Sequence, residues 1–182
     1  AENARRNLEA EQADGESFDA LREAALGRWN ADLGRIRVEG GTEAQRRVFY
    51  TALYHTLIHP NLLSDVNGEY PLMERSGEVG VTEGERYTVF SLWDTYRNVH
   101  QLLTLVYPER QVEMVRSMID IYREWGWMPR WELYGRETFT MEGDPAIPVI
   151  TDTWMKGLRD FDIGTAYEAF RKSATTPGAQ NL

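Results

Sequence analysis

The 182-residue chain is 42% hydrophobic and 27% charged, and its formal net charge is −9. That acidic balance disfavours nucleic acid and anionic membrane surfaces as partners. The lack of cysteine excludes disulfides and thiolate metal sites, and no apolar run approaches the roughly 18 residues of a membrane span. No signal peptide is recognisable. The chain begins at Ala1 rather than Met and closes on a Pro/Gly/Asn loop from Ala174 to Leu182, so both ends read as cuts in a longer chain.

In chain order, Phe18, Leu21, Ala25, Trp29, Leu33 and Ile36 recur at three- and four-residue steps and predict an amphipathic helix capped by Ser17. Gly40-Gly41 breaks it. Thr42 and Gln45 then form a capping box at the head of a second helix lined by Phe49, Leu53 and Leu57, which His59-Pro60 ends. Residues 61–88 are punctuated by Gly68, Gly77, Gly80 and Gly84. Here Glu69–Glu74 and Glu85–Phe90 are expected to pair as a β-hairpin.

Ser91 opens a third helix with Val99, Leu102, Leu103 and Val106 on its apolar face. Pro108 suits the first position of a fourth, striped by Val112, Val115, Ile119 and Tyr122 and stopped at Gly126. Residues 127–143 have no period. Asp144-Pro145 starts a fifth helix with Pro148 in its first turn, and a last one spans Thr165–Lys172. The fold class predicted is mainly α, with a small β-hairpin insertion around 65–90, and suits a bundle, a solenoid or an α/α barrel.

Two segments carry chemistry. Phe90–Arg97 sets Trp93 and Asp94 in one helical turn; an aromatic face covers the C–H face of a pyranose and a carboxylate accepts its hydroxyl protons. The structural alternative is a Ser91/Asp94 capping box with Trp93 in the core. The second segment, residues 125–144, interleaves Trp125, Trp127, Trp131, Tyr134 and Phe139 with Arg130, Glu132, Arg136, Glu137, Glu142 and Asp144. Glu132 and Glu137 are candidates for the two carboxylates of glycoside hydrolysis, against the alternative of a loop folded over its own tryptophans. Asp144 reads by itself as an N-cap. His55 and His59 share a helix face but lack further ligands, so these two and His100 read as core or surface histidines; no metal site is assigned.

Three blocks then resemble a known family: Phe49–Leu57 with Pro60-Asn61, Tyr87–Thr95, and Trp131–Leu133 continuing through Gly143–Ile150. From about Phe18 to Asp162 the chain is similar to glycoside hydrolase family 92, the calcium-dependent exo-α-mannosidases. The resemblance implies an N-terminal β-sandwich followed by an (α/α)6 barrel. Residues 1–182 would form a single partial domain, the first half of that barrel, with the sandwich and remaining helices absent.

It also implies an inverting enzyme, secreted or periplasmic, that removes terminal mannose from glycans. Trp93 and Asp94 match positions touching mannose in the −1 subsite; Trp131, Glu132, Glu137 and Asp144 match a stretch facing the same cavity. The acid, the base and most calcium ligands are implied to lie further toward the C-terminus. Arg136 and Pro145 depart from the family pattern, which more often has Asn and His there. The alternative reading is a non-catalytic helical carbohydrate-binding or scaffold fragment. Half a barrel would leave apolar helix faces open to solvent.

Overall fold

The structure is a computed structural model that describes residues 2–12 and 15–177. Helix takes up 53% of the described residues, which is the mainly α class the periodicity predicts. Two compact units form, residues 1–59 with 65–67, and residues 60–64 with 68–182.

In the first unit, α1 (Glu2–Glu11) precedes α2 (Phe18–Leu33) and α3 (Glu43–Thr56). α1 is not foreshadowed by periodicity because it has no apolar stripe and buries no residue. It is laced instead by i,i+4 ion pairs, Arg6 with Glu2 and Arg5 with Glu9, and the Asn7 amide donates to Asp65 at 2.6 Å. Ser17 caps α2 by accepting from the Ala20 N–H, and the Thr42/Gln45 capping box of α3 is present in both directions. The Trp29 ring of α2 packs tilted against that of Tyr54 on α3, with centroids 4.6 Å apart. Of the stripe predicted for α2, Leu21, Trp29, Leu33 and Ile36 are half-buried, whereas Phe18 and Ala25 are exposed. Leu53 is the buried residue of α3, which stops at Thr56, ahead of the expected His59.

The second unit is built on α6 (Pro108–Trp125), packed by α5 (Val99–Val106), α7 (Ala146–Met155) and α8 (Ile163–Thr175). Pro108 occupies the first turn, where its missing N–H costs nothing, and Gly126 closes the helix at φ 92, a left-handed value that favours glycine. Met114, Val115, Met118, Ile119 and Ile121 are buried along α6, each worth about 1.5–3 kcal/mol in removed apolar surface. α8 packs against α6 and buries the small residues Ala166 and Ala169. Because α8 runs to Thr175, the loop expected from Ala174 onward starts later; its residues 178–182 lie outside the described residues.

Three small sheets complete this unit. Strand β1 (Asn61–Leu62) pairs with β4 (Tyr87–Thr88), and β2 (Glu69–Pro71) with β3 (Val79–Val81). In the third, β5 (Phe90–Ser91) joins β6 (Trp131–Leu133) and β7 (Arg136–Glu137). A hairpin does occur within 65–90, but Glu69–Pro71 takes Val79–Val81 as its partner rather than 85–90. Those later residues split between β1 and β6, with Val89 at the switch. The third helix is also interrupted: α4 (Leu92–Thr95) ends before α5, and Asn98 at φ −160 separates them.

A buried ion pair ties the sheets to α6. Arg86 lies 3.1 Å from Glu124 and donates to the Ser117 carbonyl, while its guanidinium sits 4.7 Å over the Tyr70 ring. Glu124 also accepts from the Tyr70 hydroxyl and the Met73 N–H, each at 2.9 Å. Burial first, then the Glu124 charge, push the Tyr70 hydroxyl up to about 12.

Candidate sugar-binding site

The site is assembled on the β5–β6–β7 sheet. Residues 134 and 135 form a two-residue turn between β6 and β7, with positive φ at both Tyr134 (49) and Gly135 (82), as a right-twisting hairpin requires. Register places Phe90 opposite Glu132, Ser91 opposite Trp131 and Glu132 opposite Glu137. Residues 127–143 show no period in sequence, where the Tyr-Gly pair is the available turn signal.

Glu132 is buried, 1% exposed. Its carboxylate accepts from the Thr88 hydroxyl at 2.7 Å, the Gly135 N–H at 2.6 Å and the Val89 N–H at 3.1 Å. Burial raises its pKa, opposed by these donors and by the Arg86 charge. Glu137 accepts from the backbone N–H groups of Arg130, Trp131 and Phe139 at 2.9–3.2 Å. Both carboxylates considered for acid–base chemistry are thus engaged by the fold around them, chiefly by backbone N–H groups.

Leu92 N–H donates to the Arg130 carbonyl at 3.2 Å, hanging α4 on this sheet. The Ser91 hydroxyl makes no cap bond to the backbone; it donates to Asp94 at 2.6 Å. The predicted capping box is therefore replaced by a contact that orients an exposed carboxylate. Trp93 is half-buried rather than core, with the Arg97 guanidinium 4.7 Å from its ring centroid. Through Ser91, whose backbone pairs with half-buried Trp131, the structure brings Asp94 and Trp131 to one end of one sheet.

Behind α4 lies a polar relay. Thr153 donates to the Val149 carbonyl and accepts from Gln111 Nε2 at 2.9 Å. Gln111 Oε1 must then accept from His100 Nδ1 (3.0 Å), which leaves His100 Nε2 to accept from Thr95 (3.0 Å). Burial holds this imidazole neutral by lowering its pKa to about 4. His100 is thus a core histidine.

Asp144 is not the N-cap of α7: the capping position falls on Pro145, with no side-chain cap bond. Asp144 Oδ1 is buried without a hydrogen-bond partner. Burial raises the pKa of this carboxyl, while the nearby Ser173 hydroxyl and Arg130 pull it down. Among the described residues no three carboxylates or imidazoles converge as metal ligands. A groove of about 850 Å3 opens elsewhere, lined by Tyr70, Glu83, Arg159 and Phe161 together with Arg116 and Arg123. Those last two bridge α6 carboxylates to the α7–α8 loop: Arg116 pairs with Glu113 and Asp160, Arg123 with Asp120 and Asp162.

A mainly helical chain with indole rings and an oriented carboxylate at one sheet end has the makings of a carbohydrate-active protein. The family model for the glycosyl hydrolase family 92 catalytic domain matches residues 3–181, and the chain belongs to that family. A family 92 α-mannosidase from Bacteroides thetaiotaomicron, solved with mannoimidazole, is 32% identical with a TM-score of 0.91, covering 98% of this chain and 23% of that one. A family 92 inverting mannosidase from the same organism is 35% identical with a TM-score of 0.90, covering 99% and 24%. A protein of Arthroderma benhamiae described as an uncharacterized secreted glycosidase is 26% identical over 160 residues, 86% of this chain and 16% of its own length. The chain is accordingly part of an (α/α)6 barrel, spanning about a quarter or less of the length of these relatives. No helix among the described residues is long and apolar enough to cross a membrane.

Proposed function

We propose that this chain supplies one wall of the −1 sugar pocket of a secreted, inverting exo-α-mannosidase acting on mannose-containing glycans. The observation that carries the reading is the Ser91–Asp94 contact, in which the residue whose backbone pairs with half-buried Trp131 orients an exposed carboxylate beside Trp93 in sequence. Asp94 would accept two mannose hydroxyl protons, and Trp93 and Trp131 would cover the C–H faces. The two carboxyls of inversion stand roughly 6.5–9.5 Å apart with water between them. Glu132 and Glu137, sequestered as backbone acceptors, suit that work poorly, so acid and base are assigned to segments outside this chain. Asp144, half-buried beside Arg130, is kept as a further polar contact.

Calcium, expected from the family, finds no converging donor set among the described residues, and its ligands are assigned to other segments. The chain is read as the first half of the barrel, completed by a β-sandwich and further helices of the same protein. Asp94→Asn in the natural full-length protein should lower kcat/KM on an aryl α-mannoside by at least roughly tenfold, the loss of one charge-assisted hydrogen bond. Wild-type turnover would sink the role. The occupied carboxylates also favour a second reading, a sugar-binding fragment without chemistry; calorimetry showing mannose binding by the isolated chain without hydrolysis would support it.

A further inference from the structure

Among the described residues five non-glycine positions have positive φ, and Val89, at φ 63, is the β-branched one. A left-handed backbone crowds Cβ against the carbonyl, and a branched Cβ makes the crowding worst. Such a conformation persists only where its surroundings over-determine it.

Val89 sits where the chain leaves its pairing with β1 and joins β6. The Ser91 N–H closes back on the Val89 carbonyl at 3.2 Å, so the strained residue begins the tight turn that delivers Phe90–Asp94. Its own N–H ends on Glu132 Oε2 at 3.1 Å. The other oxygen, Oε1, takes the hydroxyl of the preceding Thr88 at 2.7 Å and the hairpin-turn N–H of Gly135 at 2.6 Å. Thr88 accepts in turn from the Tyr134 N–H at 2.8 Å. One buried carboxylate thus gathers the residue before the strain, the strain itself and the apex of the neighbouring hairpin.

We propose that Glu132 is a positioning residue that clamps Val89 in its left-handed conformation and so aims the Ser91–Asp94 turn at the sugar. The proposal rests on the reading that Trp93 and Asp94 contact the substrate. Charge is needed because both oxygens must accept. In Glu132→Gln the amide oxygen can still serve Thr88 and Gly135, while the amide nitrogen meets the Val89 N–H donor to donor. The loss therefore falls on the strained residue. Glycine adopts positive φ without the Cβ clash, so Val89→Gly removes the need for the clamp.

The test uses the natural full-length protein and an aryl α-mannoside, with E132Q, E132Q/V89G and D94N compared for kcat, KM and melting temperature. The expected result is a tenfold or greater loss of kcat/KM in E132Q, with the double variant returning to within about threefold of wild type. If E132Q fails to fold, V89G in that background is expected to restore folding and activity together. An impaired D94N with no rescue by V89G overturns the Glu132 proposal alone, since a proton-transfer or direct sugar-binding role would not be repaired at Val89. Wild-type behaviour of E132Q overturns it too. An unaffected D94N sinks the sugar-site reading first, and with it the aim assigned to the clamp.

Discussion

Ser91 is bound twice: its backbone faces Trp131 across the β5–β6 pair, and its hydroxyl donates to Asp94 at 2.6 Å. The same residue therefore fixes the spacing of the candidate site and the rotamer of its exposed carboxylate. Ser91→Ala frees that rotamer while leaving the strand pair intact. Activity of the full-length protein on an aryl α-mannoside should fall roughly fivefold in kcat/KM, about 1 kcal/mol for a solvent-exposed contact, with little change in melting temperature. A variant as active as wild type would mean that the orientation of Asp94 is immaterial.

Glu124 carries three interactions at once, to Arg86, Tyr70 and the Met73 N–H. Glu124→Ala leaves a guanidinium that is 2% exposed without its counter-ion. A buried charge stripped of its partner costs about 3–5 kcal/mol, so denaturant unfolding should show a loss of that order. Glu124→Gln, which can still accept from Tyr70 or Met73, should lose less. Equal stability of Glu124→Ala and wild type would show that this pair is not needed to hold the small sheets to α6.

His100 couples stability to pH. Its folded pKa is about 4 against 6.5 for the free imidazole, so below pH 6.5 the unfolded chain binds a proton that the folded relay refuses. Stability is therefore full above pH 6.5 and declines down to about pH 4, by on the order of 3 kcal/mol. Glu132 and Asp144, whose carboxyls are raised by burial, act in the opposite sense, so the measurement is the difference between His100→Gln and wild type. Melting temperatures at pH 7 and pH 4.5 should show a smaller acid loss in the variant; identical slopes would remove His100 from the account.

Local chemistry made much of the fold legible in the sequence. The Thr42–Gln45 box, Pro108 and Gly126 each act within a few residues of themselves, and the apolar stripe of α6 repeats over 18 residues. What stayed hidden has distant causes. Residues 69–71 pair with 79–81, while 87–88 go to β1 and, past Val89, 90–91 go to β6, where Glu132 lies 43 residues from Val89. β6 and β7 are only three and two residues long, too short for alternation to register. The partners of Glu132 were hidden because a carboxylate among aromatics announces polarity but not that its hydrogen bonds come from Thr88 and Val89 as well as Gly135. Trp93 and Asp94 fall in one helical turn, a local pairing that the sequence shows directly.

The two arginines that bridge α6 to the α7–α8 loop are seven residues apart, two turns on one helix face, and their four carboxylate partners range from 23% to 87% exposed. Attachments of this kind are individually weak and fade as ions accumulate around them. Asp162, which caps α8 through the Thr165 N–H at 3.0 Å, hangs on one of them. The head of α8 is therefore fastened in part by ion pairs that salt weakens. In dilute medium these pairs hold it, and in concentrated salt the head of α8 loosens, while the buried Ala166 and Ala169 anchor the middle of the helix.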